Sequence, residues 1–119
     1  MSRVRTKDTG PERTVASALR RLGLRFRKHD RALPGCPDIV FPERRVAVFI
    51  DGDFWHGFRY PAWTCRLSPF WRQKIEGNRA RDLKNFAALR RRGWRVVRIW
   101  QHQVEQGLAA SVERIVAAL

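Results

Sequence analysis

The stretch VAVFIDGDFWHG, Val46 to Gly57, runs an apolar segment straight into Asp51, Asp53 and His56. A short unbroken apolar run beside turn formers suits a strand buried on both faces. Two carboxylates, an imidazole and large aromatics at the end of such a strand make it either a polar turn or a place where chemistry is done. Just upstream, Asp38, Ile39, Val40 and Phe41 read as a second short strand and residues 42–45 as a turn, so the two strands form a hairpin.

Outward from the hairpin, Thr9, Pro11 and Glu12 have the pattern of a capped helix start, with Glu12 three residues after Thr9. Val15, Ala18, Leu19 and Leu22 follow at helical spacing, and Gly23 ends the run. In residues 24–29, Leu24 and Phe26 alternate with basic residues as in a half-buried strand, and residues 30–37 form a turn-rich loop. Residues 52–68 show no period and predict a long loop, a feature that is often functional in small domains. Ser68 or Pro69 opens a helical region through Trp71 and Ile75, with Leu83, Phe86, Ala87 and Leu89 apolar and Gly93 as its stop. Residues 94–100 are β-rich, and Val104, Leu108, Val112, Ile115 and Leu119 predict one final amphipathic helix. The order α-β-β-β-α-β-α predicts an α/β (α+β) fold, a mixed sheet flanked by helices, as a single domain over residues 1–119.

The 25 Lys+Arg against 11 Asp+Glu give a formal net charge of +14, and an anionic partner is the economical explanation for that excess. No apolar run is long enough to span a bilayer and no secretory segment opens the sequence, so a cytoplasmic location is expected. Cys36 and Cys65 make neither a disulfide framework nor a CxxC motif, and both are expected as thiols.

The hairpin brings Asp38, at the head of one strand, near Asp51, at the end of the other. Each carboxylate alone is accounted for by a strand-end or turn role. Together they offer a hard-oxygen site for Mg²⁺, or Mn²⁺, that can bind a phosphate oxygen and acidify a bound water. His56, with an ordinary pKa of about 6.5, is placed to take that proton. These are the ingredients of phosphodiester hydrolysis in a strongly basic chain. The non-enzymatic alternative is a basic DNA-binding module.

The Pro37-Asp38 pair and the strand order resemble the restriction-endonuclease-like nucleases, although the lysine of their second motif is absent after Asp51. More specifically, the chain resembles the very short patch repair (Vsr) mismatch endonucleases. The resemblance rests on Thr6-Lys-Asp-Thr-Gly-Pro-Glu12, Leu33-Pro-Gly-Cys-Pro-Asp38 and Gly52-Asp-Phe-Trp-His56. It continues in SPFWRQKIEGNRARD, residues 68–82, and GWRVVRIW, residues 93–100. It implies the restriction-endonuclease-like fold and nicking of double-stranded DNA at T:G mismatches. Asp38 and the Ile50 carbonyl would hold metal, with Asp51 as a further acid there. His56 would be the general base, Asp82 would orient its ring, and Glu12 would be a supporting acid. Phe54, Trp55 and Trp71 would wedge into the opened base step. Trp71 serves equally as a helix anchor, and Lys74, Asn78 and Asp82 form a polar helix stripe that faces solvent or, with Arg81, DNA.

The sequence departs from that family in two places. Asp51 stands where the best-known members have a histidine. Asp53, Phe58, Tyr60 and His102 stand where they carry zinc ligands, so no structural zinc is expected. The same features also resemble Vsr-related homing or restriction-type endonucleases that cut matched duplex. A monomer is expected, with mismatch-repair proteins as possible partners and the nucleoid as the place of action. His29 and His102 read as surface or loop residues rather than ligands.

Overall fold

The computed structural model describes residues 10–52 and 68–119. Helix α1 (Gly10–Arg21) carries Glu12 in its first turn and Arg20 and Arg21 in its last, matching the helix dipole at both ends. The expected cap, Thr9, lies outside the described residues. Val15, Ala16 and Leu19 form the buried stripe, whereas Leu22 lies beyond the helix, in the turn that Gly23 completes at φ +80°, and is exposed.

Among the described residues, four strands form one mixed sheet in chain order: β1 (Arg27–Lys28), β2 (Ile39–Phe41), β3 (Val46–Asp51) and β4 (Arg95–Trp100). β1 to β3 run antiparallel, and Ile39 opposes Val48 in the expected hairpin. β3 and β4 are parallel, with Ile50 opposite Ile99 and Asp51 opposite Trp100. The first strand is shorter than the alternation over residues 24–29 suggests. Leu24 and Phe26 still pack on the core, but only Arg27 and Lys28 pair with β2.

The parallel step from β3 to β4 requires a crossover, which helix α2 (Pro69–Arg91) supplies. Ser68 caps it, its hydroxyl accepting from the Trp71 N–H, and Pro69 takes the first helical position. Ile75, Phe86 and Leu89 are its buried residues. Leu83, placed among its apolar positions by spacing, is instead 63% exposed. The last helix is two: α3 (Gln101–Gln106) and α4 (Leu108–Ala118) break at Gly107, whose φ and ψ of −160° and 77° end one and begin the other. A continuous apolar period conceals this break, because both halves present their apolar residues to the same core.

Alternation along the strands separates two apolar layers. Val46, Val48, Ile50, Val97 and Ile99 face α1, α3 and α4 residues such as Leu19, Val104 and Ile115. Ala47 and Phe49 face Phe86 and Leu89 of α2, with Trp94 and Val96 beside them. Each fully buried aliphatic side chain contributes about 1.5–3 kcal/mol, so the sheet is rigid where its strand ends carry polar groups. Trp94, just before β4, is thus core-associated.

Candidate active site

The polar end of the sheet is where β2 begins and β3 finishes. Asp38, immediately before β2, is 9% exposed and is held through its backbone on both sides. Its N–H donates to the Val48 carbonyl at 2.9 Å, and its own carbonyl accepts from the His29 N–H at 3.0 Å. The Asp38 carboxylate reaches across the hairpin, and its Oδ2 accepts from the Ile50 N–H at 2.7 Å. This bond ties Asp38 to the strand end on which the family resemblance puts a metal-binding carbonyl.

Two more groups converge on Asp38. Glu12, projecting from the first turn of α1, is 2% exposed, and its Oε1 lies 2.9 Å from His29 Nε2. One ligand atom from each of Glu12, His29 and Asp38 lies within 4.8 Å of the other two. His29 reaches this position from a left-handed backbone conformation, φ +54°, just after β1, which histidine tolerates better than most side chains. The sequence alone makes His29 a surface or loop residue rather than a ligand; it lies in the loop just after β1, with its ring against Glu12. Its signal is faint, because it closes the alternating run of residues 24–29 as one more basic residue and stands 17 residues from its partner.

The loop of residues 30–37 delivers Asp38 with little freedom. Asp30 Oδ1 accepts from the Ala32 N–H, and the Cys36 N–H donates to the Leu33 carbonyl. Gly35, at φ +80°, sits where an added Cβ would come within 3.1 Å of Asn85 Cβ and Phe49 Cε2. The Leu33-Pro-Gly-Cys-Pro-Asp38 motif thus seats its glycine on α2 and β3.

Burial and charge leave Asp38 reluctant to ionise. Its pKa is pushed up to about 9, first by loss of solvent and then by the negative charge of Glu12, with Asp51 adding to it. The Ile50 N–H pulls the other way without compensating. A divalent cation would supply the missing positive charge, and two carboxylate oxygens beside an imidazole nitrogen form a donor set suited to Mg²⁺ or Mn²⁺. The residues present therefore fit such an ion.

Asp51 and Asp82 belong to an adjoining arrangement on the α2 side of the sheet. Arg98 Nε donates to Asp51 Oδ2 at 2.8 Å, and Arg98 Nη2 donates to Asp82 Oδ2 at 2.7 Å. The sequence assigns both acids to the site but does not single out the arginine between them. Along α2, Trp71 is exposed and meets Phe70 edge-on at 5.2 Å, while Lys74 lies over the Phe70 ring. Arg81 is exposed and donates to Asn78. His56, Phe54, Trp55 and Asp53 lie outside the described residues, as do Phe58, Tyr60 and Cys65. Cys36 is a free thiol, and His102 sits half-buried in α3. Among the described residues no helix is long and apolar enough to cross a membrane.

Comparison with known proteins places the chain in one family. The family model described as DNA mismatch endonuclease Vsr matches residues 1–61. The type II nicking enzyme V.XorIIP of Xanthomonas oryzae pv. oryzae is 48% identical over 108 residues, which is 85% of this chain and 76% of that protein. V.NmeDIP of Neisseria meningitidis serogroup C, also a type II nicking enzyme, is 37% identical over 93% of this chain and 77% of its own length. The DNA mismatch endonuclease Vsr of Escherichia coli K12 is 40% identical over 85% of this chain and 66% of its own. By the matched family model, and by identity over most of its length, the chain belongs to the DNA mismatch endonuclease Vsr family.

Proposed function

We propose that the protein, acting over residues 1–119 as one domain and as a monomer, is a divalent-metal-dependent DNA endonuclease. It nicks double-stranded DNA at T:G-type mismatches or similarly distorted base pairs. The observation that carries this reading is the buried Glu12–His29–Asp38 cluster, bonded through Asp38 to the end of β3. A net charge of +14 supports a polyanionic substrate, and the names of the relatives, mismatch endonuclease and nicking enzyme, point to the same chemistry.

In this mechanism Asp38 and the Ile50 carbonyl would hold Mg²⁺ or Mn²⁺, with Glu12 and His29 beside them. The bound ion supplies Lewis acidity and a water of lowered pKa. His56 takes the proton from the attacking water, and Asp82 orients the His56 ring. Asp51 fixes the strand end from which the His56 segment departs. Phe54, Trp55 and Trp71 enter the opened base step, which costs a few kcal/mol of unstacking and least at a mismatch, so the difference selects the substrate. Lys74, Asn78 and Arg81 contact the backbone along α2. A cellular DNA substrate puts this activity in the cytoplasm, at the nucleoid, beside the mismatch-repair proteins.

Labelled duplexes carrying each mismatch, with a matched control, test the proposal in Mg²⁺. Nicking of the thymine strand at T:G above matched DNA is the expected result. Equal cutting of all duplexes would replace the mismatch reading with a restriction-type one. No cutting with any divalent ion would remove the enzyme.

A further inference from the structure

We propose that Arg98 is a positioning residue of the nicking reaction, clamping Asp51 at the end of β3 to Asp82 on α2. The inference rests on the function proposed above. The clamp joins three elements: Nε holds one carboxylate at 2.8 Å, and Nη2 holds the other at 2.7 Å. The partners lie 47 and 16 residues away in sequence, so these are not local helix or turn contacts. The guanidinium is held in place as well as paired. Its central carbon lies 4.2 Å from the Trp100 ring centroid and 5.1 Å from that of Phe86. The Arg98 carbonyl accepts from Arg114 Nη2 at 2.9 Å, fixing the strand beneath it.

Stability alone does not explain this arrangement. The flanking positions on this side of the sheet are Phe49, Phe86 and Val96, and an aliphatic residue at 98 would continue that layer. Half-buried ion triads are often no more stable than well-packed apolar replacements, so their benefit lies in geometry. Here the geometry is that of two acids at the candidate site. Arginine is required rather than lysine, because a planar fork holds two carboxylates at set angles while an ammonium holds them loosely. Arg98 also sets its charge against two acids, one of which, Asp51, adds to the negative potential around Asp38.

The test compares the wild type with Arg98→Met, Arg98→Lys and the double variant Arg98→Met/Asp82→Asn, with Asp82→Asn alone to complete the cycle. Single-turnover nicking, DNA affinity measured in Ca²⁺ and thermal melting are followed together. Arg98→Met takes the shared cation from two largely buried carboxylates and is expected to melt several degrees below the wild type, yet to fold and to bind DNA within about threefold. Its nicking rate is expected to fall about 100-fold, a loss in kcat rather than in KM. Arg98→Lys is expected to recover only part of that loss. The double variant is expected to be no slower than the slower single variant, as residues acting through one another are not additive. Arg98→Met nicking within about threefold of the wild type would overturn the proposal, as would fully multiplicative losses, which would mean that Arg98 acts independently of Asp82. If Arg98→Met does not fold, Arg98→Lys carries the test, and nicking at the wild-type rate would overturn it. A wild-type protein that nicks nothing defeats the functional reading instead, so the two failures are told apart.

Discussion

Asp38 is the residue on which the proposed chemistry turns, and its protonation has a measurable consequence. In the folded protein it releases its proton at about 9 against an ordinary 3.8. The metal-free folded state therefore holds more protons than the unfolded chain between those values, and its stability falls as pH rises through that window. Melting of the chelated protein is expected to show a Tm that drops from about pH 5 to about pH 9. Asp38→Asn, with no proton to lose there, is expected to flatten that slope, and parallel slopes for the two proteins would contradict the assignment. Mg²⁺ or Mn²⁺ is expected to raise Tm more at about pH 8 than at about pH 5, since only the ionised carboxylate binds it. His29→Gln is expected to weaken the metal half-saturation of nicking by about 10-fold, and an unchanged value would reduce His29 to packing. Glu12, Asp38, Asp51 and Asp82 are legible in the sequence because each stands in a motif. His29 and Arg98 are not, because a histidine after a short strand and an arginine within an alternating strand look like solvent-facing residues until the fold brings their partners.

At the level of elements, the strands and helices that carry the site follow from hydrophobic spacing, while the exceptions follow from backbone conformation. The β2–β3 hairpin and the α2 crossover are legible because apolar residues recur with the right period. The break at Gly107 and the two-residue β1 are not, since period says nothing about where pairing stops or an axis turns. Gly35 offers the sharpest test of how the site is held. Gly35→Ala forces a side chain into φ +80° and against Asn85 and Phe49, and a loss of about 2–3 kcal/mol is expected in urea unfolding. On α2, Leu83→Ala is expected to change stability by less than about 0.5 kcal/mol and Leu89→Ala by about 2–5 kcal/mol. Helical spacing treats the two leucines alike, but their burial differs, 63% exposed against 0%.

Across the whole molecule, a mixed sheet gathers acids at one end while the rest of the chain is strongly basic. That contrast fits an enzyme whose surface holds phosphates and whose centre needs a cation. DNA affinity is expected to fall steeply with salt. Replacing Lys74 and Arg81 by alanine is expected to lower the slope of log K against log salt by about 1 for each phosphate no longer neutralised. An unchanged slope would remove the α2 face from the DNA interface. The acid cluster is tested most directly by single-turnover nicking of a T:G duplex in Mg²⁺ by the wild type and Asp38→Ala, with DNA binding followed in parallel. The expected result is a loss of at least about 1,000-fold in nicking with binding kept within a few-fold. Asp38→Ala nicking at the wild-type rate would contradict the account.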